Sequence, residues 1–119
     1  MPSMYVNTPK LEQSQKDDLV SKLFDAAVPV LKVPEIFTYV NEYETIYLNG
    51  KPSSDQKMLV INLEAGPMKA EKIEILAGAL LEVVQSVLGA DKKLTLVFHA
   101  NDLDHIAING KLISSNLKK

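Results

Sequence analysis

The chain has 119 residues, 46% of them hydrophobic and 24% charged, with a formal net charge of -2 and no cysteine. That is enough apolar sequence for one packed domain, and it excludes disulfides, thiolate metal sites and thiol nucleophiles. All 13 basic residues are lysine, so the bidentate arginine fork for phosphate is missing and a nucleic-acid partner is not expected. No apolar run approaches the ~20 residues a membrane helix needs, and no basic-then-apolar leader opens the chain. The expectation is a cytoplasmic protein.

The chain opens Met1-Pro2. Proline is small enough at the second position for the initiator methionine to be removed. Pro2 would then carry a secondary amine, a nitrogen base held rigid by its ring. An α-amino group titrates near 8, and apolar burial lowers that value towards the range a general base needs. Met4, Tyr5 and Val6 read as a short buried strand, stopped by Asn7, Thr8 and Pro9. From Leu11 to Val28, Leu19, Val20, Leu23, Phe24 and Ala27 recur at helical spacing. Ser14 is the expected N-cap, with Asp17 three residues on, and Pro29 is expected to end or kink the helix near Val28.

Ile36 to Leu48 has strand composition, with a bend expected near Asn41 and with Tyr39, Tyr43 and Tyr47 sharing one face. Asn49-Gly50 and the residues through Asp55 read as a turn or loop. Met58 to Leu63 is almost continuously apolar, the pattern of a central strand covered on both faces. Lys69 to Leu88 forms a second helix with Ile73, Leu76, Leu80, Val83, Val84 and Val87 on its apolar side and Gly89 as C-cap. Leu94 to Phe98 is another strand, Ile106 to Ile113 a small hairpin around Asn109-Gly110, and the lysine-rich tail after Ser114 is expected to fray.

The halves repeat. An offset of 56 lays Leu19 on Ile75, Phe24 on Leu80, Ala27-Val28 on Val83-Val84, Met4 on Val60 and Tyr39 on Thr95. Each half is a strand–helix–strand unit whose crossover makes its strands parallel. The expected fold is α/β (α+β), a single domain over 1–119 with repeats at about 2–48 and 57–113. It has a four-stranded mixed sheet with both helices on one face and a small C-terminal hairpin. The other face must then be buried against further subunits, so a homo-oligomer follows from the pattern.

On these residues the chain resembles the tautomerase superfamily, which includes 4-oxalocrotonate tautomerase and macrophage migration inhibitory factor. The resemblance rests on Met1-Pro2 opening a strand, Gln15-Lys16-Asp17-Asp18-Leu19 at the first helix, the duplicated unit, and His105 to Leu112 at the close. The stretch from Leu88 through Phe98 to Gly110 is similar to an uncharacterised bacterial branch. The resemblance implies a trimer with a site around each N-terminal proline, a small-molecule substrate and no cofactor. Pro2 would be the base that moves a proton beside a carbonyl, interconverting keto and enol forms. It implies Lys32, before Val33-Pro34, as the cation that meets the substrate; a lysine lying along the surface near a helix end is the alternative. Leu11 and Tyr39 stand where 4-oxalocrotonate tautomerase has arginines, and Thr95 and Val97 where macrophage migration inhibitory factor has a tyrosine and an asparagine. Tyr39, Thr95 and Ile106 complete the candidate pocket, Ile106 as an apolar wall or as core. These departures leave a rival reading, a non-catalytic trimeric binding module on the same fold. His99, Asp102, Asp104 and His105 match no standard metal-ligand spacing and read as a polar loop, so no metal is expected.

Overall fold

The computed structural model describes residues 2–117. Its first unit is β1 (Ser3–Pro9), α1 (Gln13–Leu31) and β2 (Phe37–Tyr43), followed by a hairpin of β3 (Ile46–Leu48) and β4 (Lys51–Ser53). The second is β5 (Met58–Ala65), α2 (Ala70–Leu88) and β6 (Lys93–Ala100). A 3-10 turn at Leu103–His105, a hairpin of β7 (Ala107–Ile108) and β8 (Lys111–Leu112), and α3 (Ile113–Leu117) close the chain. The main sheet runs β2-β1-β5-β6. β1 is parallel to β2 and β5 to β6, while β1 and β5 meet antiparallel at the centre. The expected mixed four-stranded sheet is what forms.

The core follows from the two periodicities. Met4, Val6 and Thr8 of β1 and Leu59, Ile61, Leu63 and Ala65 of β5 alternate onto one sheet face. There they meet Leu19, Leu23 and Ala27 of α1 and Leu76, Leu80 and Val84 of α2, spaced every four residues along each helix. The opposite face has no helix. It presents Tyr5 and Asn7 of β1, Phe37 and Tyr39 of β2, Val60 and Asn62 of β5, and Thr95 and Val97 of β6. Tyr5 and Tyr39 stack there with ring centroids 5.2 Å apart, and Phe37, Tyr39 and Val97 remain 50%, 49% and 39% exposed.

Several local expectations are corrected. β1 continues through Thr8 and Pro9, since a proline as its last residue forfeits only one ladder bond. α1 is capped by Glu12 and not Ser14, because Gln15 Oε1 accepts from the Glu12 N–H at 3.2 Å. Pro29 lies inside the helix, which runs on to Leu31 and stops where Lys32 turns left-handed and its N–H donates to the Val28 carbonyl. A proline one turn from the end removes a single hydrogen bond, and the helix survives it. Within one protomer β5 is covered on one face, and Ile46 to Leu48 leave the expected long strand to pair with Lys51 to Ser53, so that the expected turn at Asn49-Gly50 closes a second hairpin. Asn49 and Gly50, like Asn109 and Gly110, take the positive φ angles that a tight two-residue turn demands. Tyr47 belongs to that hairpin and not to the face shared by Tyr39 and Tyr43. The tail is helical as far as Leu117, and Lys118 and Lys119 lie outside the described residues.

The repeat register also changes. The buried helix positions correspond at 57 residues, 19 to 76, 23 to 80 and 27 to 84. The offset of 56 sets buried Leu19 on Ile75, which is 62% exposed, and sets buried Met4 on Val60 of the open face. The first residues of β2 and β6, Phe37 and Lys93, do stand 56 apart, because the helix-to-strand loop has five residues in the first half (32–36) and four in the second (89–92).

Candidate active site

Pro2 is buried at the head of β1. Its carbonyl accepts from the Phe37 N–H at 3.3 Å, which ties it to the start of β2 one residue before the regular ladder begins. Because β5 runs antiparallel to β1, with Ser3 opposite Glu64, the chain leaving β5 passes beside Pro2. Because α1 returns over the sheet, its last turn ends there as well. The result is a pocket of about 260 Å³ lined by Pro2, Leu31 and Val33, by the run Ala65 to Met68, and by Leu103. Leu103 is held in the 3-10 turn, where Asp102 Oδ1 accepts from the Asp104 N–H at 3.0 Å and the Asp102 carbonyl from the His105 N–H at 2.9 Å. The Asn101 N–H reaches the Ala65 carbonyl at 2.8 Å and fixes the turn to the exit of β5.

No side chain on that lining carries a charge. An amine in such surroundings is disfavoured in its cationic form, because nothing there replaces the water that would solvate it. Whether Pro2 has an amine depends on removal of Met1, which lies outside the described residues. Pro2 is one of the eight residues that line this uncharged pocket.

The other residues singled out from the sequence stand apart from this pocket within one protomer. Lys32 is exposed and lines a separate hollow with Pro29, Val30, Lys72 and Ile75. Tyr39 lies on the open sheet face against Tyr5. Thr95 is on the same face, two strands beyond β1, with its hydroxyl 3.4 Å from Met58 Sδ. Ile106 follows the 3-10 turn, and its carbonyl accepts from the Ile113 N–H at 2.9 Å. Leu103, three residues earlier, supplies the apolar wall to Pro2 in this protomer. Nothing in the sequence distinguished Leu103 from Ile106, because a three-residue turn has no periodicity to read. Among the described residues, no three His, Asp or Glu side chains gather closely enough to hold a metal ion, and no helix is long and apolar enough to cross a membrane.

No protein-family model matches the chain, and neither does any curated protein sequence. Solved structures do. A fused 4-OT wild-type asymmetric trimer superposes with a TM-score of 0.84 at 21% identity, over 98% of this chain and 99% of that one. Macrophage migration inhibitory factor from Toxoplasma gondii gives a TM-score of 0.76 at 14% identity, over 92% and 98%. A domain of unknown function from Sebaldella termitidis gives 0.74 at 20% identity, over 94% and 99%. The fold of this chain is that of the tautomerase superfamily.

Proposed function

We propose that the chain, built on the tautomerase fold, is a cofactor-independent tautomerase that acts on a small α-keto acid or a related carbonyl compound. Pro2 is its general base once Met1 has been removed. The observation that carries this reading is the buried Pro2 at the mouth of β1, facing an uncharged pocket of about 260 Å³. The free amine would take a proton from the carbon beside the carbonyl and return it at oxygen, or the reverse. A ring nitrogen suits this because its lone pair points in one direction relative to the strand.

The helix-free face of the sheet supports a homo-oligomer, since Phe37, Tyr39 and Val97 would otherwise stay in water. The trimeric state of the fused 4-OT structure favours a trimer here. On this reading Lys32, Tyr39, Thr95 and Ile106 reach a substrate where protomers meet, with Lys32 holding its carboxylate. The uncharged pocket lining also favours a second reading, a trimeric binding module that has kept the fold without the chemistry. Phenylpyruvate or 2-hydroxymuconate turnover separates the two when measured on protein whose intact mass shows a Pro2 N-terminus. Turnover lost in Pro2→Ala supports the enzyme, and turnover unchanged in that variant removes the proposed mechanism. Lys32→Ala should raise KM more than it lowers kcat.

A further inference from the structure

The duplication creates a second pocket. The four residues leaving β1, Thr8 to Leu11, line it just as the corresponding run leaving β5, Ala65 to Met68, lines the Pro2 pocket at the offset of 57 residues. Leu88 ends α2 there as Leu31 ends α1 beside Pro2, the loop before β5 contributes Gln56, and β5 itself contributes Leu59. At the same offset Leu59 stands where Pro2 stands in the first pocket. The strand opening this pocket lies inside the chain, so no terminal amine can stand there. The chemistry proposed for Pro2 is excluded.

What replaces it is charge and an orphaned hydroxyl. Lys10 and the half-buried Lys92 line the second pocket, with no carboxylate among the lining residues. Thr8, where the first half's pocket has Ala65, is completely buried, and its Oγ1 has no hydrogen-bond partner. More than about nine in ten buried polar groups are paired, and an unpaired one is costly. Two carboxylates on neighbouring segments are engaged elsewhere, while the exposed Asp91 precedes Lys92. Glu42 accepts from the Leu11 N–H and from Lys16 Nζ, and Asp55 accepts from the Lys57 N–H. The cavity measures about 110 Å³, room for a few non-hydrogen atoms.

We propose that this second pocket binds a small oxyanion, either a short carboxylate or inorganic phosphate, held by Lys92 and Lys10 and accepting a hydrogen bond from the Thr8 hydroxyl. It is a binding site without catalysis, the product of a duplication in which only one copy could keep a terminal amine. Its test is an amide NMR titration of the full-length protein with acetate, pyruvate and phosphate, and with acetamide as the neutral control. At least one anion should give saturable shifts at Thr8, Lys10, Leu11, Leu59 and Lys92, and acetamide should not. Lys92→Ala and, separately, Thr8→Val should each weaken that binding by about tenfold, the loss of one charge-assisted hydrogen bond. The proposal is overturned if no anion gives saturable shifts there, if acetamide does so equally, or if both variants keep the parent affinity. Shifts at Pro2 report on the first pocket separately, so failure of one site is distinguishable from failure of the other.

Discussion

Thr8→Val isolates a single atom. The substitution replaces the buried Oγ1 by a methyl group of nearly the same shape, in a pocket whose apolar lining is Pro9, Leu11, Leu59 and Leu88. A buried hydroxyl without a partner costs ~1–3 kcal/mol relative to its state in water. Valine escapes that cost and places an additional apolar group in the core, while the backbone of β1 is already extended and suits a β-branched residue. Thr8→Val should therefore stabilise the protein by ~1–2 kcal/mol, which for a domain of this size raises Tm by about 4–8 °C. Urea unfolding at one fixed protein concentration measures it, read as a higher midpoint with an unchanged slope. The measurement belongs in a buffer free of phosphate and carboxylates. A Thr8→Val protein less stable than the parent by 1 kcal/mol or more would show that the hydroxyl has a partner, and the reasoning from an unpaired group would fall.

Three other outcomes follow from the same geometry. Glu42 is held below the usual carboxylate range by the Leu11 N–H, then by Lys16. Its contribution to stability is therefore present above about pH 4.5, its ordinary value, and is lost as pH falls through the lowered one. Glu42→Gln should flatten that acid limb, measured as stability against pH. Tyr43 is shifted the other way, chiefly by burial and then by Asp55. Its neutral form donates to the Met58 carbonyl at 2.7 Å, so the stability it gives is complete below pH 10 and is lost at higher pH. Tyr43→Phe should cost ~1 kcal/mol at neutral pH and remove the alkaline dependence. Val97→Glu places a carboxylate on the helix-free face, and desolvating it in an interface would cost several kcal/mol. Light scattering should show that variant dissociated while circular dichroism shows it folded; an unchanged oligomer would mean that this face is not the interface.

Much of the architecture was legible because apolar residues separate by period. Leu19, Leu23 and Ala27 mark one helix face and Met4 and Val6 one strand face, and two such units leave one side of a sheet bare. The repeat was visible but slipped by one residue. Adjacent apolar pairs such as Ala27-Val28 and Val83-Val84 align almost as well one step off, and a loop one residue shorter in the second half let part of the wrong register fit. In strands such a slip turns every side chain to the opposite face. The hairpin at Asn49-Gly50 was hidden by Pro52, which a two-stranded ribbon tolerates because its outer edge needs no N–H. Pro2 could be singled out as soon as the chain began. The lining of its pocket could not, because Leu31, Val33 and Leu103 converge on it only through the crossover of α1 and the turn after β6. The same holds for the second pocket, whose lysines are separated by most of the chain and line one cavity because β1 pairs with β5 and β5 with β6.

Titration of the Pro2 nitrogen by NMR, on protein whose intact mass confirms loss of Met1, tests the central claim most directly. An amine in an uncharged pocket should lose its proton well below the ordinary α-amino range near 8, and the same midpoint should govern the rise of kcat/KM with pH. An amine titrating at its ordinary value, with no pH-dependent turnover, would contradict the account of Pro2 as a base.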